Sequence, residues 1–170
     1  MIGAETEKIL YLIGGPMGVG KTTVGQALKQ QLPNSVFLDG DWCWDAEPFQ
    51  VTEETKTMVL DNICYLLNNF IHCSAYQHII FVWVMAEQAV IDTLCARLDT
   101  AHCCVHCISL VASWEVLRAR LETDISCGKR DAGVIARSEK RLPEYAALRT
   151  RKIVTDQLTV SEIAETIAAL

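Results

Sequence analysis

The chain contains no apolar run of membrane-spanning length; its longest, residues 79–86, has only the length of a buried strand. Its first residues include Glu5 and Glu7 and show no leader pattern, so a soluble, cytoplasmic protein is expected. It has no block of like charges, no internal repeat, no low-complexity tract and no linker, and its 170 residues read as one domain, 1–170. It lacks excess basic charge, and a net charge of −6 argues against a nucleic-acid-binding surface. A content of 51% hydrophobic residues argues against disorder.

Zinc-type cysteine pairing is also missing. Of the eight cysteines, Cys104 and Cys107 have C-x-x-C spacing, but no second pair stands at zinc-site distance. Alternation along a strand would split His102, Cys104 and His106 from Cys103, Val105 and Cys107. A buried strand rich in reduced cysteine is the expectation there.

What is present begins with Gly15-Pro16-Met17-Gly18-Val19-Gly20-Lys21-Thr22, a complete G-x-x-x-x-G-K-[ST] phosphate-binding loop. An apolar run of strand length, 8–13, precedes it. Val24, Ala27, Leu28 and Leu32 follow at helical spacing. Glycines bring backbone N–H groups close to phosphate oxygens, and the N-terminus of the following helix points at the same anion. Lys21 is placed to reach the β- and γ-phosphates, and the Thr22 hydroxyl to ligate Mg²⁺. A nucleoside triphosphate is the expected ligand.

Further strands are expected at 35–39, 78–85, 103–110 and 153–155. Helices are expected from Thr52 to about residue 72, with Met58, Ile63, Leu66, Leu67 and Phe70 as the apolar stripe, at 87–98, from Ser113 to about 122, and after the Thr159-x-x-Glu162 capping box. Strands alternating with helices imply a doubly wound, five-stranded parallel α/β sheet with helices on both faces. Ligands of such sheets bind at the carboxyl ends of the strands.

At the end of the second strand, Asp39-Gly40-Asp41 delivers two carboxylates to the edge that carries the phosphate loop. Here the sequence resembles the small P-loop kinases, a group that includes shikimate kinase, gluconate kinase, chloramphenicol phosphotransferase and the adenylate-kinase-like enzymes. The resemblance covers the whole chain in element order and rests on the phosphate loop, on Asp39 to Asp41, and on an arginine-containing segment around 118–141. It implies ATP and Mg²⁺ as cofactors and a small-molecule acceptor, with no nucleic-acid or membrane partner.

The resemblance also implies roles. Lys21, Asp41, Asp39, Arg130 and Arg137 form the expected catalytic set, with Asp41 receiving the acceptor hydroxyl and Asp39 nearer the metal beside Thr22; the two aspartates are open to exchange. Gly15, Met17, Gly18, Val19, Gly20, Lys21, Thr22 and Thr23 are expected at the nucleotide, with Arg120 near the adenine and Gln157 at the base edge. A lid is expected over 124–142, with Arg130 or Arg137 meeting the γ-phosphate. If that segment is helical, Arg130, Arg137 and Arg141 share one face.

The third strand lacks the metal-linked acid of many P-loop NTPases, unless Glu87 stands in for it, and no guanine-specificity motif is recognisable. Both absences favour a kinase over a GTPase or motor ATPase. The glycine-rich third-strand motif of shikimate kinase is missing too, which sets shikimate aside. Residues 41–54 contain no Lys or Arg, favouring a neutral hydroxyl acceptor over a nucleoside monophosphate. Trp42, Trp44 and Phe49 either wall an acceptor pocket or pack the long helix onto the sheet. The alternatives are a nucleotide or nucleoside monophosphate kinase and a non-catalytic nucleotide-binding regulatory or resistance protein.

Overall fold

A computed structural model describes residues 7–170. The leader reading of the first residues lies mostly outside that range. β1 (Lys8–Gly14) runs into the phosphate loop and α1 (Lys21–Gln31). β2 (Ser35–Asp39) ends in a 3-10 turn, Gly40–Cys43, before the long α2 (Glu53–His72). β3 (His78–Val82), α3 (Gln88–Arg97), β4 (Cys103–Val111) and α4 (Trp114–Ser126) follow. α5 (Val134–Ala147), β5 (Arg151–Val154) and α6 (Val160–Ala168) complete the chain.

The five strands form one parallel sheet in the order β2-β3-β1-β4-β5, the expected doubly wound architecture. Alternation along each strand sorts the core into two layers. Tyr11, Ile13, Ile80, Val82, Ile108 and Leu110 face α1, α4 and α6. Leu10, Leu12, Ile79 and Phe81 face α2 and α3. Every residue of β3 is buried, because this strand has neighbours on both edges and helices on both faces.

β5 occupies Arg151–Val154 rather than 153–155, α5 is a helix within the segment read as a polar lid, and four further expectations are corrected. β3 stops at Val82 rather than at 85, and Met85 takes a positive φ of 33° as the chain leaves the sheet. α4 continues to Ser126, beyond the expected end near 122. On α2 the core-facing line is Val59, Ile63, Leu67 and Ile71, with Met58 turned outward, since positions four apart hold one face while Met58 lies off that row. Arg130 precedes α5, so it does not share a helix face with Arg137 and Arg141.

The cysteine-rich strand divides as alternation requires. Cys103, Val105 and Cys107 pack toward α2 and α3, while His106 stacks on Tyr11 at 5.5 Å. Among the described residues, no three His, Cys, Asp or Glu side chains converge as a metal cluster. No helix among them is long and apolar enough to cross a membrane.

Candidate active site at the carboxyl edge of the sheet

The phosphate loop connects the central strand to α1. Gly18 and Gly20 hold φ values of 81° and 101°, a left-handed backbone that most side chains disfavour. Gly20 is the residue before α1, so the loop curls directly into the helix N-terminus. Val19 is buried, and Met17 packs against the α1-side core, which fixes the loop from below.

Lys21 folds over this loop, its Nζ donating to the carbonyls of Gly15 at 2.8 Å and Pro16 at 2.9 Å. Burial lowers its pKa to about 8, against the opposing fields of Asp41 and Asp39, with Arg130 lowering it a little further. In the next position, Thr22 Oγ1 donates to Asp39 Oδ2 at 2.7 Å. Asp39 is buried, and its Oδ1 accepts from the Asp41 backbone N–H at 3.0 Å. One carboxylate therefore ties the start of α1 to the end of β2 and shapes the turn that presents Asp41.

Thr22 and Asp39 supply hard oxygen donors side by side, the chemistry that Mg²⁺ selects. Glu87 instead stands exposed at the start of α3. Asp41 lies at the open side of the turn. Burial and then Asp39 push its carboxyl above the ordinary carboxylate range, while Lys21, the Trp83 indole and Arg130 pull it down. Lys21, Asp39, Asp41 and Arg130 thus share one electrostatic neighbourhood.

The arginines separate by environment. Arg130 is half-buried and donates through Nε to Asp124 Oδ2 at 3.0 Å. Arg137 forms an exposed two-pronged pair with Asp131, at 2.6 and 3.2 Å. Arg120 reaches from α4 to the Val19 carbonyl at 3.3 Å and to Thr155 Oγ1 and carbonyl at 3.0 and 3.2 Å. It therefore clamps the phosphate loop to the end of β5. Thr23 and Gln157 are exposed and make no side-chain hydrogen bond among the described residues.

The aromatic residues after Asp41 divide as well. Trp44 packs edge-on against Phe49 at 4.9 Å and Trp83 at 6.0 Å, joining the α2-side core. Trp42 and Phe49 are 59% and 56% exposed, so part of this cluster forms an open apolar wall. Sequence reasoning took Trp83 only as part of a strand. Its place beside Asp41 follows from β2 and β3 being neighbours, with Asp39 in register with Val82. No pattern along the chain signals that adjacency.

The AAA domain family matches residues 12–144, most of the chain. Sequence comparison with curated proteins returns no match. The structure is similar to the tunicamycin resistance protein of Deinococcus radiodurans, with a TM-score of 0.73 and 22% identity over 95% of this chain and 94% of the other. It is also similar to a gluconokinase from Sinorhizobium meliloti 1021, with a TM-score of 0.68, 17% identity, and coverages of 96% and 91%. A shikimate kinase from Acinetobacter baumannii, solved with shikimate, gives 0.61, 22%, and coverages of 96% and 92%. The fold is that of the P-loop kinase group.

Proposed function

The chain belongs to the AAA domain family, and on that premise we propose that it is an ATP-dependent phosphotransferase acting on a hydroxyl of a small, uncharged molecule. The observation that carries the reading is the meeting of Lys21, the Thr22–Asp39 hydrogen bond and Asp41 on one edge of the sheet. A nucleoside triphosphate in the loop meets the backbone N–H groups and the α1 N-terminus. Lys21 exchanges its loop carbonyls for phosphate oxygens. Thr22 and Asp39 are the residues to hold Mg²⁺, which neutralises phosphate charge when bound.

Asp41 accepts the proton of the acceptor hydroxyl as its oxygen forms the new bond to the γ-phosphorus and the bond to the β-phosphate oxygen breaks. Arg130, within the field of Lys21 and Asp41, supplies positive charge to the transferring group. Residues 41–54, which contain no Lys or Arg, offer no cation for an anionic acceptor, and Trp42 and Phe49 offer an apolar wall.

The test is acceptor-dependent ADP release with Mg-ATP and a panel of hydroxyl compounds. Lys21→Ala and Asp41→Asn should both abolish it, with ATP binding retained only in Asp41→Asn. Equal loss of ATP binding in both variants would remove Asp41 from its role. ATP binding with no turnover on any acceptor would favour a sequestering protein.

A further inference from the structure

Trp83 carries a polar atom that the fold leaves unanswered. Its Nε1 is buried and has no hydrogen-bond partner among the described residues. Buried donors are nearly always paired in folded proteins, so an orphan needs an explanation. The indole cannot escape toward solvent. Its backbone N–H is held by the Ile13 carbonyl at 3.2 Å, which keeps Trp83 in line with β1 after β3 has ended. Trp44 meets it edge-on and Phe81 lies at 6.5 Å.

Gly40 presses on the other side. A Cβ at Gly40 would stand 2.5 Å from Trp83 Cγ and 2.6 Å from Cδ1. Cδ1 is bonded to Nε1, so the N–H edge of the ring lies against the turn that carries Asp41. The Asp41 backbone is pinned by Asp39, whereas its carboxylate lies close enough to the Trp83 indole for that group to lower its pKa without a formed hydrogen bond between them. A fixed donor without a formed hydrogen bond and a carboxylate within its influence are thus neighbours.

We infer that Trp83 is the positioning residue for Asp41: in the nucleotide-loaded protein its indole N–H donates to one oxygen of the Asp41 carboxylate. The other oxygen is then turned toward the acceptor hydroxyl. Donation to the attacking oxygen itself would withdraw electron density from the nucleophile, so the carboxylate is the productive partner. The bond also limits Asp41 to one orientation at the moment of transfer, where a misplaced base loses rate. This inference rests on the role proposed for Asp41, but its first test needs neither acceptor nor turnover.

The ¹⁵N–¹H spectrum shows one indole signal for each of the four tryptophans, and Trp83→Phe assigns one of them to Trp83. Mg²⁺ with a non-hydrolysable ATP analogue should move the Trp83 signal downfield, and Asp41→Ala should abolish that movement while leaving the other indole signals in place. A Trp83 signal that responds identically with and without Asp41 overturns the inference, whatever the enzyme's acceptor. In turnover, Trp83→Phe should lower kcat about ten- to a hundredfold with little change in KM for ATP. The loss should not add to that of Asp41→Asn. Additive losses, or an unchanged kcat, would also overturn it.

Discussion

Thr22 Oγ1 and Asp39 Oδ2 stand 2.7 Å apart, joining the first turn of α1 to the last residue of β2. β3, the strand beside β1, carries no acid, and the carboxylate that meets Thr22 comes from β2, the next strand out. Thr22→Ala and Asp39→Ala should therefore each weaken ATP binding in the presence of Mg²⁺ by about tenfold or more, while binding without the metal changes little. Isothermal titration with and without Mg²⁺ decides it. Equal loss under both conditions would mean that the pair serves the loop's shape alone.

Lys21 gives a signed dependence on pH. In the free protein burial holds its pKa at about 8, below the ordinary lysine value. Phosphate oxygens favour the charged ammonium and raise that pKa on binding. Between the two values binding takes up a proton, so uptake should be larger at about pH 9 than at about pH 7, where Lys21 is already mostly charged. Calorimetry in buffers of different ionisation enthalpy measures it, and Lys21→Ala should erase the difference. Proton release, or uptake that survives the substitution, would assign the effect elsewhere.

Arg130 and Arg137 were equivalent candidates in the sequence, yet only Arg130 lies within the field of Lys21 and Asp41. Arg130→Gln should reduce turnover by more than about a hundredfold, the scale of a lost arginine at a transferring phosphoryl group. Arg137→Gln should leave it within a fewfold. Single-turnover rates at saturating ATP separate the two, and the reverse ranking would require α5 to move over the site during the reaction.

Arg120 makes its three hydrogen bonds to the phosphate loop and to Thr155 rather than to an open base site. Arg120→Ala should cost about 1–3 kcal/mol of stability by leaving those acceptors unpaired. A lower Tm in the absence of nucleotide would show it. An unchanged Tm with weakened ATP binding would instead fit contact with the adenine. Arg137→Ala, at an exposed pair, serves as the comparison with unchanged Tm.

Much of this molecule was legible because its signals are local. The phosphate loop, the Thr52 and Thr159 caps and the alternation at 102–107 each rest on residues within one or two turns of each other. Apart from α5, which lies in the segment read only as a polar lid, the element order followed from such signals, and the doubly wound sheet from the element order. The α2 stripe failed at Met58 because periodicity allows several faces within one row of a helix, and only the docked sheet chooses among them.

Residue types and spacing alone determined that a phosphate-binding loop and two aspartates would arise at one edge of a parallel sheet, and the family resemblance added a set of arginines. The tertiary structure decided which partners they meet. Trp83 lies beside Gly40 because β3 inserts between β1 and β2, a pairing separated by more than forty residues of chain. Arg130 joins Lys21 and Arg137 turns to Asp131 because the chain bends between α4 and α5. Such contacts depend on packing across distant elements, where energy comes from burial and distance in space and leaves no periodic trace along the sequence.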